Sequence, residues 1–142
     1  MTAAKYKIDN MTVFLDRNFI QQDSYTEKIM PLDEELLGND LSEMWKDASR
    51  WKTGDKWRSF GWNVIEIDGH RIEQISDAIR RANQTKGLPS IIIARTIKGK
   101  EVEHMEDNPQ WHGKAPKLEM NQIIEDELDS QIMIAHSIND GG

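Results

Sequence analysis

The sequence predicts an α/β protein organised around a parallel β-sheet, and three observations lead to this prediction. Residues 91–94 read Ile-Ile-Ile-Ala, a continuous apolar run typical of a strand that is covered on both faces. Strand patterns at 62–68 and 90–97 enclose a stretch of helical periodicity, which makes a β-α-β unit with an expected right-handed crossover. A further apolar run at 13–15 turns abruptly polar at Asp16, as at the end of a buried strand.

Composition limits the classes of function. The 142 residues suffice for one ordinary domain, and a formal net charge of -7 without a run of Lys and Arg argues against nucleic-acid binding. The absence of cysteine excludes disulfides and thiolate metal sites. No apolar stretch is long enough to span a bilayer, and the N-terminus lacks the apolar core of a signal peptide, so a cytoplasmic protein is expected.

The chain begins with the predicted tail of a helix at 2–8, which Asp9 and Asn10 break. After the strand at 13–15 comes Asn18, in the crevice beyond a strand end where open parallel sheets bind their ligands. Asn18 is therefore placed to hold a cofactor or, in the simpler interpretation, to form an Asx-turn.

Residues 33–54 combine many charges with large apolar side chains at helical spacing. Asp40 and Glu43 resemble a capping signal, so a helix is predicted at about 40–51, closed by Gly54. The apolar stripe of this helix either docks on its own domain or contacts another protein chain. Trp is enriched at binding hot spots, which supports the second alternative. The tryptophans concerned are Trp45, Trp51 and Trp57.

Downstream, a short helix is predicted at 56–61, and the strand at 62–68 leads into a tight turn at 68–70. The next helix is expected to bury one face and to end near Gly87. That face comprises Ile72, Ile75, Ile79 and Ala82. The polar loop at 98–117 is long enough to be functional, and a helix at 118–138 closes the chain.

Four ordered stretches of the sequence resemble a known family: 6–10, 16–21, 56–70, and 96–100 followed by 108–116. The third contains Asp-Gly-His and the last Trp-His-Gly-Lys-Ala-Pro. In order and spacing they resemble the thiamine-diphosphate-binding half of transketolase, especially the bacterial type that is split into two subunits. The resemblance implies an α/β parallel-sheet thiamine-diphosphate-binding fold, incomplete in this chain. Residues 1–142 would form the C-terminal portion of that domain, with an extra segment at about 33–54.

The cofactor motif of this family begins with Gly-Asp-Gly and ends with an Asn. Only the ending occurs here, at Asn18, so the resemblance places Met1 inside the motif. It implies that the Asn18 side chain and the Ile20 carbonyl bind the magnesium ion (Mg2+) that holds the cofactor diphosphate. A carboxylate from the missing half would complete the site. Phe19 stands where the family usually has Gly, a residue that adopts a positive φ at no steric cost.

The histidines receive different predictions. His112 matches the family histidine that reaches the diphosphate and the substrate end of the cofactor, so the resemblance implies that it is both cofactor-binding and catalytic. His70 is predicted to be structural, closing its turn, and His104 to be solvent-exposed. No paired spacing among them indicates a zinc site. The Glu that activates the cofactor lies on the other half of family members, so no general base is expected here.

The resemblance implies a subunit of a multi-chain transketolase-like enzyme that transfers a two-carbon ketol unit with thiamine diphosphate and magnesium. Its partner subunits would carry the Gly-Asp-Gly half-motif and the pyrimidine-binding domain, and this chain would be inactive alone. One alternative is a subunit of an α-keto acid dehydrogenase-type enzyme that loads an acyl unit onto a carrier. Another is a non-catalytic assembly subunit. Asn18 and His112 favour catalysis, whereas the missing Gly-Asp-Gly favours the assembly role.

Overall fold

The computed structural model describes residues 1–22, 24–29, 32 and 52–139. The helix predicted at 40–51, with Trp45 and Trp51, therefore lies outside the described residues. So does most of the extra segment predicted at about 33–54. The chain forms two compact units: Met1–Phe19 with Tyr25–Thr96, and Ile20–Ser24 with Ile97–Gly142.

The elements in chain order are α1 (Thr2–Lys5), β1 (Thr12–Arg17), β2 (Ile20–Gln21), β3 (Ser24–Tyr25), α2 (Thr26–Ile29), α3 (Thr53–Ser59), β4 (Asn63–Asp68), α4 (Ile72–Gln84), β5 (Ser90–Arg95), a 3-10 turn (Pro109–Trp111) and α5 (Leu118–Asn139). The predicted strands, the β-α-β unit and the C-terminal helix are confirmed. Gly54 lies inside α3 and is buried, so the prediction that it closes a helix is wrong.

The central strand of the first unit is β5, in a parallel sheet ordered β1-β5-β4. Val13 of β1 and Val64 of β4 both lie opposite Ile91 in register. All of β5 is buried, which confirms a strand covered on both faces. Full burial of one isoleucine contributes roughly 1.5–3 kcal/mol relative to exposure. The run at 91–94 therefore contributes strongly to the core of this unit.

Two apolar clusters cover the two faces of the sheet. On one face the strands pack against α4 through Ile65, Ile67, Ala78, Ala82, Ile92 and Ala94. On the other face lie Trp62, Ile91 and Ile93, packed by Ala3, Ala4, Val13, Leu15, Trp57 and Val64. Trp57 meets Trp62 edge to face with 5.1 Å between the ring centroids. Trp57 therefore packs within its own unit.

The predicted burial of α4 is partly wrong. Ile72 and Ile79 are 70% and 41% exposed, whereas Ala78 and Ala82 are buried. The helix thus presents small side chains to the sheet, which lets the two backbones approach closely. Ile75, partly buried, is the isoleucine of the predicted face that packs against this cluster.

The prediction that β1 is a buried strand is also wrong in part. Its residues alternate between exposed and covered, and Phe14 is 49% exposed. In the described sheet β1 is an edge strand. Its face that carries Val13 and Leu15 packs in the apolar cluster, whereas the face that carries Phe14 is partly exposed. The start of the strand is anchored by a hydrogen bond from the Gly87 N–H to Oδ2 of Asp9, at 2.9 Å.

Candidate functional site

The three strands of the sheet end in register at charged residues. Arg17 of β1 and Asp68 of β4 both lie opposite Arg95 of β5. Arg17, Arg95 and Asp68 therefore form a row of charged residues at the carboxyl ends of the three strands. This is the edge at which open α/β sheets bind ligands.

The turn after β4 is closed by its backbone. The Gly69 N–H donates to the Arg95 carbonyl at 2.7 Å, and a Cβ on Gly69 would lie 3.1 Å from that same oxygen. A side chain at this position would therefore crowd Thr96 and the end of β5. The His70 N–H donates to Oδ1 of Asp68 at 2.9 Å, so the backbone of His70 closes the turn, whereas a structural role of its side chain stays a prediction.

Asn18 directly follows β1 and is half-buried. Its Nδ2 donates to Oδ2 of Asp16 at 3.3 Å, and Asp16 also accepts a hydrogen bond from the Thr96 hydroxyl. Because Thr96 directly follows β5, Asp16 connects the ends of two neighbouring strands and orients the Asn18 amide. Because the amide nitrogen is the donor to Asp16, Oδ1 is the atom of this amide that could bind a metal ion.

Phe19 comes next, with a φ of 61° and only 1% of its surface exposed. The left-handed conformation costs about 1–2 kcal/mol in a residue with a Cβ, whereas burying a Phe side chain contributes about 1.5–3 kcal/mol. The ring centroid lies 4.1 Å from Cζ of Arg17 and 5.6 Å from Cζ of Arg95, a cation–π arrangement. Phe19 therefore adopts a backbone conformation that glycine would reach without steric cost. The packing of its buried ring offsets this cost.

A chain of ion pairs continues from Arg95. Its Nη2 lies 3.6 Å from Oε2 of Glu66, and Nη2 of Arg58 lies 3.2 Å from Oε1 of the same carboxylate. Glu66 thus places a negative charge beside two guanidiniums. Sequence reasoning missed Arg17, Arg95 and Glu66. The available signal was that Arg17 and Arg95 each closely follow an apolar run, at 13–15 and at 91–94.

In the second unit, the loop after β5 folds around Trp111. The indole Nε1 donates to the His104 carbonyl at 3.0 Å, and the two rings meet edge to face with 5.6 Å between centroids. The prediction that His104 is solvent-exposed is wrong: its side chain is 29% exposed, with Nδ1 4.0 Å from Oε1 of Glu127. Trp111 is the ring that packs beside it.

His112 follows the 3-10 turn and its residue is exposed. Its N–H donates to the Pro109 carbonyl at 3.0 Å, and the Asn108 side chain caps the turn by accepting from the Gln110 N–H at 3.0 Å. The backbone beside His112 is therefore held while its imidazole remains accessible. Asn18 belongs to the first unit, and Ile20 and His112 belong to the second.

The second unit also has an open, acidic cleft of about 590 Å³, lined by Lys100, Glu101, Glu103, Glu106, Asp107 and Gln131. Burial, and to a lesser extent the charge of Glu106, raises the pKa of Asp107 above its ordinary value. A cleft with four carboxylates and one ammonium does not suit a diphosphate.

The predicted ligands fit magnesium by their chemistry. Magnesium prefers oxygen donors and usually keeps waters and phosphates among them. The Asn18 amide oxygen and the Ile20 carbonyl are donors of this kind. In the part of the chain that the structure describes, no group of three or more His, Asp or Glu could hold a metal. The cofactor diphosphate and water would supply further ligands.

The parallel sheet with a polar row at its carboxyl edge defines the class of α/β domains that bind a ligand beyond their strand ends. The family model described as transketolase, thiamine diphosphate binding domain, matches residues 1–128. The chain belongs to this family, as the resemblance of its motifs predicted. Within the described residues, no helix has the length and apolarity needed to cross a membrane.

Three relatives illustrate the match. The chain is 30% identical over 141 residues to one of the subunits of the apulose-4-phosphate transketolase of Phocaeicola vulgatus, covering 99% of this chain and 44% of that protein. It is 33% identical over 131 residues to the 6-deoxy-6-sulfo-D-fructose transketolase subunit SqwG of Clostridium sp. strain MSTE9, with 92% and 41% covered. Identity to human transketolase is 34% over 131 residues, with 92% and 18% covered. The chain thus spans less than half the length of these relatives.

Solved structures agree on the fold. The transketolase of Campylobacter jejuni gives a TM-score of 0.54 at 23% identity, covering 77% of this chain and 14% of that one. A transketolase mutant from Pichia stipitis gives a TM-score of 0.54 at 17% identity, with 97% and 21% covered. These likenesses show that the described residues adopt the fold of the corresponding part of transketolases.

Proposed function

We propose that this chain is one subunit of a multi-chain transketolase-like enzyme that transfers a two-carbon ketol unit with thiamine diphosphate and magnesium. The observation that carries the proposal is the end of β1, where Asp16 orients the Asn18 amide at the carboxyl edge of the sheet. Membership of the thiamine-diphosphate-binding family supports it. Two relatives are named as transketolase subunits, which favours an assembly of several chains.

Each proposed site residue has a role set by its atoms. The Asn18 amide oxygen and the Ile20 carbonyl would bind magnesium, and thereby hold the cofactor diphosphate. The accessible imidazole of His112 would donate a hydrogen bond to diphosphate oxygens or to a hydroxyl of the ketol donor. Thiamine diphosphate itself supplies the carbanion chemistry when bound.

The remaining roles fall to partner subunits. Gly-Asp-Gly is absent from this sequence, so a partner carrying that half-motif would supply the metal carboxylate. A partner with the pyrimidine-binding domain would supply the Glu that activates the cofactor. A ketose is the favoured donor because the names of two relatives specify apulose 4-phosphate and 6-deoxy-6-sulfo-D-fructose.

The test is reconstitution with the proteins encoded by neighbouring reading frames. Thiamine diphosphate binding should be measured by calorimetry with and without magnesium, and transfer activity with ketose phosphates and with α-keto acids as donors. We expect magnesium-dependent binding and activity with ketose phosphates by the complex, and neither by the chain alone. A complex that binds no thiamine diphosphate would indicate a non-catalytic assembly role, and activity with α-keto acids alone would indicate an acyl-loading enzyme. Either result would overturn the proposal.

A further inference from the structure

A stack of three side chains closes the edge of the sheet beside Asn18. Arg17 and Arg95 are in register on neighbouring parallel strands, so both side chains leave the sheet on the same face. Both are almost fully buried, and the Phe19 ring lies against both guanidiniums. Glu66 of β4 reaches the same place, 3.6 Å from Arg95. Arg17 and Arg95, from two neighbouring strands, therefore contact one residue of the turn, and Glu66 of the third strand pairs with Arg95.

The residues on either side of Asn18 are thus more deeply buried than Asn18 itself. The Phe19 carbonyl accepts a hydrogen bond from the Thr26 N–H at 2.7 Å, which fixes the backbone on the far side of the turn. The left-handed φ and the position of the ring depend on each other. Rotating Phe19 to an ordinary backbone conformation would carry its ring away from Arg17.

We infer that Phe19 is a positioning residue for the cofactor: its ring, held by Arg17 and Arg95, fixes the turn that presents Asn18 to magnesium and the diphosphate. This inference rests on the function proposed above for Asn18. The family usually has glycine at this position, and glycine adopts a positive φ at no steric cost. In this chain the packing of the Phe19 ring stabilises the same conformation. The turn is therefore packed against side chains of β1 and β5.

The informative substitution is Phe19→Leu, which keeps an apolar side chain and the steric cost of a Cβ at positive φ but removes the flat ring face. The reconstituted complex is titrated with thiamine diphosphate and Mg2+ by calorimetry, and exchange of the Thr26 amide is followed before the cofactor is added. We expect the cofactor affinity to fall roughly 10–100-fold, as for other groups that support a metal ligand, and the Thr26 amide to exchange faster. Turnover at saturating cofactor should stay close to that of the unaltered complex. A residue with only a structural role would not produce this division between affinity and turnover.

Two further variants complete the test. Phe19→Gly lacks the ring but adopts the positive φ without steric cost, so its cofactor affinity should lie between that of Phe19→Leu and that of the unaltered complex. The control is Ile92→Val, which loses a buried methylene on the opposite face of the sheet. It should lower the stability of the complex without changing cofactor affinity.

Unchanged cofactor affinity in Phe19→Leu overturns the positioning role. Asn18→Ala distinguishes this failure from failure of the proposed function. Weakened affinity in Asn18→Ala beside unchanged affinity in Phe19→Leu rejects the positioning role alone. Unchanged affinity in Asn18→Ala rejects both the proposed metal site and the link between this turn and the cofactor.

Discussion

The side-chain amide N–H of Asn18 donates a hydrogen bond to the carboxylate of Asp16, with 3.3 Å between Nδ2 and Oδ2. If Asn18 is a magnesium ligand, Asn18→Ala should weaken binding of thiamine diphosphate with Mg2+ by more than the roughly 10–100-fold typical of losing a supporting group. Assembly with partner subunits should be unaffected. The measurement is calorimetric titration of the reconstituted complex.

Asp16→Ala should have a smaller effect on cofactor affinity than Asn18→Ala. It keeps the ligand but removes the carboxylate that orients the amide and accepts from Thr96. We expect cofactor affinity between that of the unaltered complex and that of Asn18→Ala. The same affinity in Asn18→Ala and in the unaltered complex would show that Asn18 is not a ligand.

His112 should matter for turnover and little for folding. The residue is exposed, and exposed substitutions usually change stability by less than about 0.5 kcal/mol. If the imidazole of His112 donates to the cofactor or the substrate, His112→Ala should lower kcat by roughly 10–100-fold. This corresponds to losing one hydrogen bond to a charged group, about 1.5–3 kcal/mol. His136→Ala, at an exposed position on α5, is the control; full activity of His112→Ala would refute the assignment.

Asp107 should make stability depend on pH. Its pKa is raised above 3.8 by burial and by Glu106, so the folded state holds this proton more tightly than the unfolded state does. The contribution of Asp107 to stability is therefore fully present below pH 3.8 and is lost as the pH rises through the raised pKa. Asp107→Asn stays neutral, and Asn also tolerates the φ of 49° found here.

We accordingly expect Asp107→Asn to be more stable than the unaltered protein at neutral pH, with a difference that narrows on acidification. Denaturant unfolding of the assembled protein over an acid-to-neutral series measures this difference. A stability difference that does not vary with pH would contradict the assignment of the shift to Asp107.

The chain alone should associate. Phe14 is 49% exposed on β1, and β1 is an edge strand of the sheet that the described residues form. An exposed apolar side chain on an open strand edge favours pairing with another chain. Phe14→Lys should reduce association of the isolated chain, measured by light scattering and sedimentation. A monomeric, unaltered chain with a sharp thermal transition would contradict this expectation.

The central strand could be predicted because the run at 91–94 offers no polar residue to an exposed face. The partial exposure of β1 could not, because the run at 13–15 is the same whether or not a neighbour covers it. That exposure depends on strand order, which long-range pairing decides. Ile72 and Ile79 were wrongly assigned to the core because helical periodicity alone does not reveal that alanines face the sheet.

The site divides in the same way. The place of Asn18 after β1 follows from local pattern, and its ligand role stays a prediction. The stack brings Arg95 of a distant strand against Phe19 and Arg17, so no local pattern could reveal it. The burial of His104 likewise depends on the ring of Trp111, seven residues later.

The hydrogen bond between Gly87 and Asp9 joins residues 78 positions apart, and every rung between β1 and β5 spans a similar length of chain. Closing such a loop costs entropy before any contact compensates for it, whereas β4, α4 and β5 follow one another directly. We therefore expect the β-α-β unit to form first during folding and β1 to dock onto it afterwards. During synthesis β1 leaves the ribosome before β5 does, so β1 cannot pair with β5 until the later strand has been translated.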